Sequence, residues 1–122
     1  MSTSLRVDVG GGSLHVASTG AERVDRPAVV LLHGFAASSF TWRDVVPVLS
    51  ETHRVVAIDR LGFGQSDRVR GGDYSFAAAV AHTVAVLDHL GIDRAVLVGH
   101  SAGAGIACGV ALAHGSRSRA CA

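Results

Sequence analysis

The sequence predicts an α/β fold built on a mostly parallel sheet with flanking helices, and three observations carry that prediction. Three short, continuous apolar runs, Ala28 to Leu32, Arg54 to Ile58 and Ala95 to Val98, read as strands buried on both faces. Each is followed by a stretch of helical spacing, and such alternation implies parallel strands joined by right-handed crossovers. Ahead of them, Leu5 to Val9 and Ser13 to Ala17 alternate in polarity around Gly10-Gly11-Gly12, the pattern of an N-terminal antiparallel hairpin.

The elements then follow in order. Ala28 to Leu32 ends at His33-Gly34-Phe35 and leads into an expected helix from Ser39 to Leu49, in which Thr41 and Asp44 have capping-box spacing and Pro47 invites a kink. Arg54 to Ile58 opens into a glycine-bearing loop. Ser75 stands where the N-cap of a long helix to Leu90 belongs, with Gly91 at the C-terminal glycine position. Ala95 to Val98 runs through Gly99-His100-Ser101-Ala102-Gly103 into an Ala-rich helical stretch that reaches Ala113. No repeat, linker or low-complexity tract interrupts the chain.

Composition narrows the function classes. A chain of 122 residues with 48% apolar content is globular, one domain or part of one. Eleven basic residues against ten acidic ones give a net charge of +1 with no basic cluster, so nothing calls for nucleic acid or an anionic membrane as partner. All eleven are Arg, and the absence of Lys excludes a Walker-type phosphate loop and Schiff-base chemistry. Cys108 and Cys121 lack metal or redox spacing, which fits a reducing, cytoplasmic setting, with neither metal nor cofactor expected. The start of the chain has neither the basic region nor the apolar core of a signal peptide. The apolar stretch from Ala95 to His114 approaches membrane-spanning length, but its four glycines, His100 and Ser101 fit a buried strand and helix instead.

Gly99 to Gly103 is a G-x-S-x-G turn between a strand and a helix, the setting in which a nucleophilic serine is mounted. Small residues are needed at both flanks because the sharp turn brings backbones together and strains the serine. Three segments together resemble the α/β-hydrolase family over roughly Ala28 to Ala113. His33-Gly34-Phe35 is similar to its oxyanion loop, Asp59-Arg60-Leu61-Gly62-Phe63-Gly64-Gln65-Ser66 to its D-x-x-G-x-G-x-S loop, and Gly99 to Gly103 to its nucleophile elbow. The resemblance implies a serine hydrolase of carboxylic esters or related acyl bonds with a small-molecule substrate. Ser101 would be the nucleophile, and the N–H groups of Phe35 and Ala102 would hold the oxyanion. His33, Gly34, Asp59, Gly62, Gly64, Gly99, His100 and Gly103 would shape the site, with His33 fixing its loop and Asp59 bonding local backbone.

The resemblance also implies an acid and then a histidine after the serine. No Asp or Glu follows Asp93, and His114 lies thirteen residues along a helix, about 20 Å from Ser101. The expectation is therefore an incomplete fold: residues 1–114 as the N-terminal part of a hydrolase domain, 115–122 as a non-native or disordered tail, and a nearly inactive chain. Ala95 to Val98 would then expose a sheet edge open to self-association. Ser39 to Ser66 is similar also to haloalkane dehalogenases and epoxide hydrolases, but those carry an aspartate where this sequence has Ser101. Two rival readings remain: a noncatalytic binding module on the same fold, and a dinucleotide loop formed by Gly99, Gly103 and Gly105, which lacks the acidic residue a ribose needs. Trp42 is expected as a helix core residue, Cys108 as a small buried one, and His15, His53, His82 and His89 as surface or satisfied histidines.

Overall fold

The computed structural model describes residues 2–115 and 118–121. They form a six-stranded sheet in which β1 (Ser2–Asp8), β2 (Ser13–Thr19), β3 (Ala28–Leu32), β4 (Val55–Ile58), β5 (Ala95–Gly99) and β6 (Ser118–Cys121) take the order β1-β2-β4-β3-β5-β6. β1 and β2 form the expected hairpin and β2 joins β4 antiparallel, while β4, β3, β5 and β6 run parallel.

Every residue of β3 and β4 is buried, as continuous apolar runs require when both faces are covered. On one face Val30, Leu32, Val56 and Ile58 pack with Val86 and Leu87 of α2 (Phe76–His89) and Ile106, Ala107 and Val110 of α3 (Ala102–Ala113). On the other, Val29, Leu31, Val55 and Ala57 pack against Trp42, Val46 and Leu49. α2 starts where Ser75 Oγ accepts the Ala78 N–H at 3.1 Å, and ends before Gly91 at φ 67°. No helix among the described residues is long and apolar enough to cross a membrane; the apolar stretch ending at His114 is strand, turn and helix.

Three expectations need correction. The helix over Ser39 to Leu49 is two pieces, a 3₁₀ turn Ser39–Trp42 capped by Ser38 and a single turn α1 (Val46–Leu49) with Pro47 in its first turn. Proline starts a helix readily and continues one badly, so the capping-box spacing of Thr41 and Asp44 goes unused. Cys108 is exposed, because α3 buries the stripe Gly103, Ile106, Ala107 and Val110 and position 108 lies off it. The anticipated open edge at β5 is occupied by β6, which pairs Ala95 with Ser118 through Val98 with Cys121. An edge strand is held by its backbone and need not be apolar, so the polar stretch 118–121 can fill that place. Residues 116, 117 and 122 of that tail lie outside the described residues.

Candidate active site

The parallel register gathers the site. Leu32 pairs with Ile58 on one side and Gly99 on the other. His33, Asp59 and His100 therefore follow their strands side by side at the carboxyl edge, where α/β sheets place ligands.

Ser101 is the pivot of the turn from β5 into α3. Its backbone sits at φ 59°, ψ −119°, a left-handed conformation that side chains avoid, and its side chain is exposed. Small neighbours make the turn possible: a Cβ on Gly99 would collide with the Gly103 carbonyl, and one on Gly103 with the Leu32 carbonyl. These glycines are consumed by packing. The N–H groups of Gly103 and Ala104 close onto the carbonyls of His100 and Ser101 at 3.0 and 2.9 Å. The Ala102 N–H takes no acceptor among the described residues, at the first position of a helix whose dipole favours negative charge there.

The loop after β3 brings a second donor. A Cβ on Gly34 would lie 3.2 Å from Ser101 Cβ, so the loop backbone rests against the serine. Ala36, at φ 58°, is the other non-glycine residue with positive φ among those described. The intervening Phe35 is exposed, and its N–H finds no acceptor among the described residues. His33 beneath it is fully buried, with Nδ1 donating to the Gly34 carbonyl at 2.7 Å and Nε2 accepting the Arg60 N–H at 3.0 Å. Burial pushes its pKa down and the Arg60 charge adds to this, outweighing the Gly34 bond and Asp59. A neutral imidazole with both nitrogens engaged ties loops together and has no lone pair left for Ser101.

Asp59 organises the glycine loop. The Ser39 N–H donates to Oδ1 at 2.6 Å, and Oδ2 accepts from the Gln65 N–H at 3.1 Å and His15 Nδ1 at 2.9 Å. Burial pushes this carboxyl up, but the bonds from Ser39, Gln65 and His15 outweigh it and hold the pKa below the usual carboxylate value. Gly64, at φ 55°, must be glycine because a Cβ would collide with that carboxylate. A Cβ on Gly62 would meet the Tyr74 ring at 2.7 Å. His15 is thus satisfied across 44 residues of sequence. Nothing in local spacing signals the pair; only the β2–β4 register, which sets the Asp59 N–H on the His15 carbonyl at 3.0 Å, creates it.

A cavity of about 440 Å³ opens beside the elbow, lined by Phe35 and Ala102 and by a mainly apolar wall that includes Leu14, Ile58, Leu61 and Phe76. Five charged or titratable groups, Arg60, Arg68, Asp73, Tyr74 and His82, also line it, and none of them has an expected catalytic or binding task. Among the described residues no base is hydrogen-bonded to Ser101. His100 is exposed and makes no hydrogen bond to Ser101 Oγ among the described residues, and His114 closes the far end of α3. Among the described residues no three His, Cys, Asp or Glu side chains form a metal-binding group.

Comparison with known proteins bears on the family and the fold. The family model described as alpha/beta hydrolase fold matches residues 27–122. Epoxide hydrolase B of Mycobacterium tuberculosis is 38% identical over 109 residues, 88% of this chain and 31% of that protein. The 2-hydroxymuconate semialdehyde hydrolase of a Pseudomonas strain is 47% identical over 78 residues, 64% of this chain and 28% of its own. The crystal structure of an epoxide hydrolase from Vigna radiata superposes with a TM-score of 0.86 at 30% identity, covering 96% of this chain and 37% of that one. The chain spans about a third of the length of the curated relatives it matches.

Proposed function

Since the chain belongs to the alpha/beta hydrolase family, we propose that it carries the nucleophile and oxyanion hole of a serine hydrolase acting on carboxylic esters or related acyl bonds of small molecules. One observation carries this reading: Ser101 is held exposed in a strained turn at a helix N-terminus, beside Ala102 and Phe35, which line one cavity and whose N–H groups have no acceptor among the described residues. Ser101 Oγ loses its proton to hydroxide and attacks the acyl carbon, the carbonyl oxygen gathers charge against the two N–H groups, and collapse expels the leaving alcohol or its anion to leave an acyl-serine for water to hydrolyse. Serine at this position favours acyl chemistry over the epoxide opening named for several relatives.

A serine hydroxyl needs a base, and no histidine hydrogen-bonds to Ser101 Oγ among the described residues. We therefore read residues 1–122 alone as slow, on the order of 10⁴-fold or more below a complete triad. Incubation with 4-nitrophenyl acetate tests both points. Peptide mapping should find the acetyl adduct on Ser101 and lose it in S101A, and the acylation rate should climb with hydroxide instead of levelling off near neutral pH as a histidine base would make it. An adduct spread over other side chains, or unchanged in S101A, would remove the nucleophile assignment. Ligand binding that persists without any adduct would favour the binding-module reading, which the missing base motivates.

A further inference from the structure

The least explained group around the cavity is Arg60. Its guanidinium lies over the Phe63 ring, with Cζ 4.8 Å from the centroid. Phe63 in turn meets His33 and Phe35 edge-on, each with centroids 5.6 Å apart. A single aromatic ring thus separates this charge from the loop residue assigned to the oxyanion hole. Arg60 Nε is buried with no hydrogen-bond partner, and among the described residues no carboxylate pairs with the guanidinium. The neighbouring Asp59 carboxylate is committed to Ser39, Gln65 and His15.

A partly buried guanidinium without a carboxylate partner among the described residues gains from an anion placed beside it. The other charges of the cavity have partners. Arg68 Nη1 donates to the Gly64 carbonyl at 3.1 Å, and Asp73 accepts the Ser75 N–H at 3.0 Å and faces His82. The rest of the wall is mainly apolar, which suits a monoanion with a hydrocarbon body better than a multiply charged phosphate, whose desolvation costs more.

Resting on the serine-hydrolase reading, we propose that Arg60 is a specificity residue and that the acyl substrates carry a carboxylate. The edge of the guanidinium grips that carboxylate while the scissile carbonyl lies against the N–H groups of Phe35 and Ala102.

Calorimetric titration of the whole chain with monomethyl glutarate and with methyl valerate, which replaces the carboxylate by a methyl group, tests this. A charged hydrogen-bonded contact is worth about tenfold to a hundredfold in affinity, so the glutarate should be preferred by that factor. The preference should survive in S101A and R68Q, collapse in R60Q and R60M, and return in part in R60K; R60M keeps the stem over Phe63 should R60Q fold poorly. Equal affinities in the unaltered chain, or a preference that R60M or R60Q leaves intact, would overturn the proposal. A carboxylate preference without acylation at Ser101 would remove only the serine-hydrolase reading. Acylation without the preference would remove only this one.

Discussion

Ser101→Gly should make the protein more stable while ending the acylation proposed for Ser101. The serine backbone at φ 59°, ψ −119° occupies a region that side chains avoid, at a cost of about 1–3 kcal/mol. Glycine relieves that strain but loses about 0.5–1 kcal/mol through its greater freedom in the unfolded chain. The side chain is exposed and its hydroxyl has no hydrogen bond among the described residues, so nothing else is forfeited. The net expectation is a gain of about 1 kcal/mol for S101G, against a change within about 0.5 kcal/mol for S101A, which keeps the Cβ. Urea titration followed by circular dichroism should show a higher midpoint for S101G at unchanged slope, and a Tm several degrees higher. If S101G were no more stable than S101A, the turn would not be storing strain and the claim that the fold holds the nucleophile against its own preference would be wrong. A stabilising change that abolishes acylation is the conflict expected where a fold sacrifices stability for a site.

Three further outcomes test the supports. Asp59→Asn should cost at least about 2 kcal/mol at neutral pH, since a neutral amide cannot replace a carboxylate taking three hydrogen bonds. Because the folded pKa of Asp59 lies below 3.8, its contribution is complete above that value and disappears as pH falls through the folded value, so D59N should flatten the acid limb of the stability curve below about pH 4. His33 and His82 are held below 6.5, so the folded state resists their protonation and stability should decline as pH drops from that value; H33N should remove part of this slope, H82N another part, and H33N should slow Ser101 acylation by loosening the loop that presents Phe35. Gly103→Ala should cost about 3 kcal/mol or more, because its Cβ would push against the backbone of Leu32 and His33; a variant that folds at wild-type stability would contradict the described packing of elbow on β3.

Those supports separate what a linear reading can reach from what it cannot. The elbow was legible because its requirements are local: a strand, two small residues and a helix within a few positions. β3 and β4 were legible because burial on both faces leaves unbroken apolar runs, and β5 because its run is as apolar, although Val96 and Val98 are only half-buried. The reading over Ser39 to Leu49 failed where two local signals compete, since a helical apolar period says little about continuity once Pro47 can begin a new turn. Cys108 was misplaced although its spacing from Ile106, Ala107 and Val110 puts it off the buried stripe; a helix rich in Ala and Gly has too little contrast between faces to announce which side is inside. The His15–Asp59 pair had no local trace, because it exists only through the register of β2 on β4.

Arg60 shows the deeper limit. It lies inside a motif whose other members have evident tasks, the glycines in the turn and Asp59 on backbone donors, and in sequence it is one more arginine among eleven. Its meaning comes from what surrounds it: an aromatic face beneath, an apolar cavity in front, and no carboxylate among the described residues to pair with. Catalytic mounts are written in short-range patterns because backbone geometry is short-range. Substrate preference is written in the spatial balance of charge and burial, and that balance is visible only once the chain is folded.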